Sequence, residues 1–131
     1  MHDIDFEMTV ESGKSFDDAV VAVGRATEDA GFRVLHVHDV QATLAEKGFA
    51  RGPMKIVEVC NARYAHDVLK ADPRVALMLP CRIVVWTTDD ASVRVATVKP
   101  SIIASFYPKA GIEGTAAEVE NVLRAIIEAA R

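Results

Sequence analysis

Two thiols are the residues best equipped for chemistry in this chain, Cys60 closing the apolar run KIVEVCN and Cys81 opening LPCRIVVW. Cys60 precedes Asn61, a good N-cap, and so sits at the predicted start of a helix, where unpaired amides carry partial positive charge and favour a thiolate. Arg63 and Arg82 would add to that effect, and Glu58, on the same strand face as Cys60, would oppose it. The sign of any shift in thiol pKa is therefore contested within the candidate site of Cys60, Cys81, Glu58, Asn61 and Arg82. If the strands ending at Cys60 and starting at Cys81 are antiparallel neighbours, both thiols come to one rim of the sheet. Whether their side chains share a face depends on register, since a slip of one residue turns every side chain over. The plainer alternative is that both are small buried hydrophobes, as free cysteine generally is.

Weaker candidates lie one strand earlier. His36 and His38 are two apart, hence on one face of a strand, and such a pair can supply two metal ligands. With Cys60, Cys81 or Glu58 they would complete a four-ligand set, but the sequence does not bring those elements together and names no metal or cofactor. Asp39 reads most simply as the N-cap of a short helix. Tyr64 and Trp86 could line a cavity, a role that packing in the core more commonly fills. Nucleophile triads, phosphate-binding glycine loops and dinucleotide fingerprints are absent from the sequence.

The elements that position these residues follow from periodicity. Ile4, Phe6, Met8 and Val10 alternate with polar residues as a half-solvated strand. SFDDAVVAVGRATEDAG carries Phe16, Ala19, Val20, Val23, Ala26 and Ala30 at helical spacing, with Ser15 as N-cap and Gly31 as the left-handed stop. FRVLHVHDV is a second strand, followed by a short helix through QATLAEK that stops at Gly48; MKIVEVC is a third strand. A helix over ARYAHDVLKA ends at Asp72-Pro73, and CRIVVWT and ASVRVATV form a hairpin. The last helix, about 115–130, has Thr115 and Glu118 as its capping box. The class is α+β: a two-layer, mainly antiparallel sheet with helices on one face, in the order β-α-β-β-β-β-α. The other face, rich in Val and Ile, needs a second subunit or a ligand to close it, and a homodimer is expected.

At 131 residues the chain is expected to be one domain, spanning 1–131. Half of it is hydrophobic and 6% aromatic, which specifies an aliphatic core. A net charge of −4 with intermixed signs argues against nucleic acid as a partner. MHDIDFEM has neither the basic flank nor the apolar core of a signal peptide, and no apolar run approaches a membrane span. A cytoplasmic protein with reduced thiols is expected.

The stretches DVQATLAEK and CNARYAHDVLKADPRVALMLPCRIVVW resemble the domain-of-unknown-function 302 family, through the Cys60-Asn61 pair and the Leu79-Pro80-Cys81 motif. The similarity runs from about Val10 to Tyr107. It departs at Ala62, where many members have proline; the helix loses a favourable first residue and keeps its cap. The resemblance implies a fold similar to the TATA-binding-protein-like arrangement and a dimeric protein with no assigned activity. Two functions remain open: a binding module for a small molecule, metal or cofactor at the cysteine rim, or a thiol-active redox or sulfur-transfer protein using Cys60 and Cys81.

Overall fold

Local signals in the sequence set most of the element boundaries in the computed structural model, which describes residues 2–3 and 6–131. The elements are β1 (His2–Asp3), β2 (Glu7–Ser12), α1 (Phe16–Asp29), β3 (Arg33–Asp39), α2 (Val40–Ala45), β4 (Met54–Cys60), α3 (Ala62–Ala71), a 3-10 helix (Pro73–Met78), β5 (Cys81–Thr87), β6 (Val93–Val98), α4 (Pro100–Ser105) and α5 (Glu113–Ala129). The Ser15 hydroxyl accepts from the Asp18 amide at 3.1 Å and starts α1; Gly31, at φ 79°, lies just beyond its end. An Asp39 carboxylate oxygen accepts from the Ala42 amide at 2.9 Å and starts α2.

All neighbouring strands in the sheet are antiparallel, in the order β1-β2-β6-β5-β4-β3. β3 to β6 are consecutive neighbours, and β2 and β3 flank β6-β5-β4 on opposite sides, so α1 must cross the sheet between the two. That crossing makes α1 and α5 the covering layer. Met8, Val10, Val57, Val59, Ile83, Val85 and Val95 face them and are buried with Val23, Leu123, Ile126 and Ile127. The Ser12 hydroxyl donates to the Ala130 carbonyl at 2.5 Å, tying β2 to the end of α5. A smaller buried cluster of Val75, Ala104, Ile112 and Ala116 joins the 3-10 helix, α4 and the start of α5. No helix among the described residues is long and apolar enough to cross a membrane.

Several details differ from the sequence reading. The expected strand from Ile4 begins at Glu7, with Ile4 itself outside the described residues; Phe6 is 49% exposed and does not join Met8 and Val10. Thr115 and Glu118 lie inside α5, which starts at Glu113 after Ile112 with no side-chain cap bond. Burial of Ile112 in the smaller cluster anchors this helix start where a polar cap was expected. The short 3-10 helix and α4, six residues each, complete too few turns to show a period.

Leu123 is fully buried between the sheet and α1. Replacing Leu123 by Ala should cost about 2–5 kcal/mol through lost transfer energy and a residual cavity. The midpoint of urea unfolding measures it; a change below about 0.5 kcal/mol would contradict this packing.

Candidate functional site

The site begins with the register of β4 against β5, in which Val59 stands opposite Cys81 and Glu58 opposite Arg82. Cys60 and Cys81 therefore come to one end of the sheet on adjoining strands, one residue out of step. Alternation puts Cys81 on the helix-covered face with Ile83 and Val85, and aligns Cys60 with Glu58 and Ile56 on the open face. Both remain free thiols, half-buried at the rim.

Asn61 turns the chain from β4 into α3. Its side-chain oxygen accepts from the amides of Arg63 and Tyr64 at 3.0 and 3.1 Å, and its side-chain amide donates to the Gly31 carbonyl at 3.2 Å. The start of α3 is thereby pinned to the turn that leaves α1. Tyr64 packs its ring 5.9 Å from that of Phe32 and closes one side of the rim.

Behind the rim lies a cavity of about 60 Å³, walled by Phe32, Val59, Cys60, Tyr64, Val68 and Cys81 on one side. Val75, Leu79, Ile103, Ala104, Ile112 and Ala116 form the other side. Its lining is almost wholly apolar. The cavity separates the sheet's core from the smaller cluster, so its far wall comes from the 3-10 helix, α4 and α5. The Tyr107 hydroxyl donates to the Arg74 carbonyl at 3.0 Å and straps that wall together. Sequence reasoning missed these far-wall residues. The signal available was Ile102 and Ile103 following Pro100, too short to stand as a periodic pattern.

Burial decides the charge state of both thiols. With a smaller upward push from Cys60 and a weaker opposing one from Arg82, it takes the Cys81 thiol up to about 11. Burial also raises Cys60, against a smaller lowering by the Asn61 backbone amide. The pull of the helix start toward a thiolate is thus outweighed, partly because Asn61 already satisfies the next two amides.

The remaining candidates lie elsewhere. Glu58 and Arg82 belong to the open face, where Glu58 receives His38 Nε2 at 3.3 Å and lies 4.0 Å from Arg82 Nε. The rings of His36 and His38 meet edge to face at 4.4 Å. Leu35 is an extra residue between the paired positions Val34 and His36, a bulge that leaves both histidines opposite this face of β4. Cys81 faces the helices and the histidines do not, so Cys81 cannot join His36 and His38 in a metal set. Among the described residues no group of three or more His, Cys, Asp or Glu side chains could hold a metal ion. Asp39 is a helix cap, Tyr64 lines the cavity, and Trp86 lies on the open face opposite Met54.

The model of the family described as "Domain of unknown function DUF302" matches residues 8–130. This chain belongs to the DUF302 family. The match takes in α5 and extends past the Val10 to Tyr107 range of the sequence resemblance. The crystal structure of an uncharacterised conserved DUF302 protein from Bacillus stearothermophilus superposes with a TM-score of 0.90 at 28% identity, covering 98% of this chain and 100% of that one. An uncharacterised protein of Aquifex aeolicus (strain VF5) is 26% identical over 95 residues, 72% of this chain. The DUF302 chain spans 60% of that relative's length.

The two thiols should titrate late. A thiol whose pKa is higher folded than unfolded keeps its proton in the fold, so stability is full below the unfolded value and falls as pH rises toward the folded one. Between about pH 9 and 11, Cys81 should cost the protein on the order of 2–3 kcal/mol. Urea unfolding of wild type and Cys81→Ala across that range should show the steeper decline in wild type; parallel curves would contradict a buried, protonated Cys81.

Proposed function

We propose that this DUF302 chain is a homodimeric binding module that takes a small, uncharged, apolar ligand or the apolar part of a cofactor at the cysteine rim. The observation that carries this reading is the apolar cavity with Cys60 and Cys81 in its wall, thiols that burial keeps protonated. A wall of this kind repels charge and rewards apolar contact at about 25 cal/mol per Å². Holding one water takes roughly 10–15 Å³ and pockets for drug-sized ligands run to about 300–1,000 Å³, so a cavity of this size suits only a small group. A longer ligand must displace the far wall, where the buried cluster is small.

The alternative, a thiol-active redox or sulfur-transfer protein, draws support from the nearness of Cys60 and Cys81 at one rim. Against it stand the upward shifts of both thiols and a register that sets Cys81 opposite Val59, one residue out of step with Cys60. A disulfide requires Cβ atoms that approach each other, and alternation on adjoining strands works against that.

A graded series of straight-chain alcohols, followed by amide chemical shifts, tests the reading. Perturbations should concentrate at Val59, Val68, Ala104 and Ala116, and filling the space with Ala104→Leu or Ala116→Leu should weaken binding about tenfold. Shifts scattered over the surface, or affinity unchanged in both variants, would remove the cavity from consideration. Rapid modification of both thiols at neutral pH with formation of a Cys60–Cys81 disulfide would favour the alternative.

A further inference from the structure

The outer side of the cavity's far wall joins exposed apolar side chains to a local surplus of positive charge. In the 3-10 helix Val75 is buried, and Leu77, two residues on and so turned well away from it, is 80% exposed. In α4 Ala104 is buried in the same cluster, and Phe106, two residues on at the helix's C-cap, is 59% exposed. The Tyr107 hydroxyl donates to the Arg74 carbonyl, and the Arg74 guanidinium lies 5.9 Å from the centre of the Tyr107 ring, so the two elements meet at these residues. Three residues make one 3-10 turn, which sets Leu77 directly beyond Arg74, and Phe106 is the chain neighbour of Tyr107. Leu77 and Phe106 therefore border one contact as a pair of apolar side chains on the outside of the wall. Charge around this pair departs from that of the chain. Residues 62–78 and 99–112 hold Arg63, Lys70, Arg74, Lys99 and Lys109 against Asp67 and Asp72, whereas the whole chain stands at −4. The Asp72 carboxylate is taken up by Arg74, through its guanidinium and its backbone amide, each at 2.9 Å. Lys70 and Lys109 are exposed beside residues packed in the smaller cluster, Lys70 after Leu69 and Lys109 before Ala110.

We infer that this outer surface docks on an anionic lipid bilayer, with Leu77 and Phe106 entering the headgroup boundary and Lys70, Arg74 and Lys109 held over the lipid phosphates. Apolar side chains gain by leaving water at the acyl boundary, and cations within a Debye length of an anionic leaflet are drawn to it; here the two effects act at one place. A bilayer needs no matching pocket for two projecting side chains. The acidic remainder of the chain is repelled by the same leaflet, so charge also orients the molecule with this end toward the lipid. Docking there sets the wall that a longer cavity ligand must displace against a source of apolar chains.

This inference rests on the outside of the far wall and not on what the cavity holds, so the two fail separately. Co-sedimentation of the full chain with vesicles tests it. Vesicles of phosphatidylglycerol and phosphatidylcholine in equal parts should carry the protein down, vesicles of phosphatidylcholine alone should bind it at least tenfold more weakly, and added salt should weaken the binding. Each cation near such a surface is worth about fivefold in affinity, so Lys70→Glu/Lys109→Glu should lower it more than tenfold. Leu77→Glu/Phe106→Glu should lower it by a similar factor, whereas Lys47→Glu/Arg51→Glu, before the start of β4 at the other end of that strand, should leave it nearly unchanged. Neither Leu77 nor Phe106 belongs to a buried cluster, and circular dichroism melts confirm that each variant is folded. A Leu77→Trp variant should gain emission that shifts to the blue with the anionic vesicles. Absence of binding, equal binding to both kinds of vesicle, or a loss no larger at Leu77 and Phe106 than at Lys47 and Arg51 would overturn the inference. So would self-association in solution that Leu77→Glu/Phe106→Glu abolishes, which would give this surface to a second copy.

Discussion

The alignment of β4 against β5 is the constraint from which the rest of the molecule follows. Val57 and Val59 must face α1 and α5, because moving either strand by one residue would drive Glu58 or Arg82 into a core made of valine, isoleucine and leucine. Burying an uncompensated carboxylate there costs far more than any gain from packing Ile56 in its place. The ion-paired open-face position of Glu58 and the buried positions of Val57 and Val59 are therefore one decision. Cys81, locked in phase with Ile83 and Val85, is carried to the covered face by that decision, and Cys60 follows Glu58.

This arrangement makes two surfaces of opposite character from the same strands. On the open side Glu58, partly buried, lies between His38 and Arg82. On the covered side, at the end of those strands, polar contact is scarce and Cys81 behaves as a small hydrophobe. The start of α3 could have polarised Cys60, but Asn61 occupies the amides of Arg63 and Tyr64 and leaves the sulfur only its own neighbour's N–H. Desolvation then prevails over the helix dipole, whose influence fades within a turn.

The cavity exists because two buried clusters of unequal size meet without merging. The larger belongs to the sheet, α1 and α5; the smaller fastens the 3-10 helix and α4 onto the beginning of α5. Ala104 and Ala116, short side chains at the junction, leave space that larger residues would have filled. A molecule entering this space would strain the smaller cluster and its Tyr107–Arg74 strap before disturbing the strands, which is the mechanical basis for reading the rim as a place of binding.

Much of this was legible in the residues. Ser15, Asp39 and Asn61 start their helices through side-chain oxygens because a helix's first amides need acceptors close in sequence, and alternation marks β4, β5 and β6 because the pleat has period two. The common rim of Cys60 and Cys81 also followed, since adjoining antiparallel strands must bring the end of one beside the start of the next. What only the tertiary structure decided were quantities set by distant partners: the phase of β4 on β5, the burial that raises both thiols, the anchoring of α5 by Ile112, and the far wall of the cavity. Local sequence encodes hydrogen bonds made within a turn or two. Desolvation and space between elements depend on segments far beyond a turn or two along the chain, which no local pattern records.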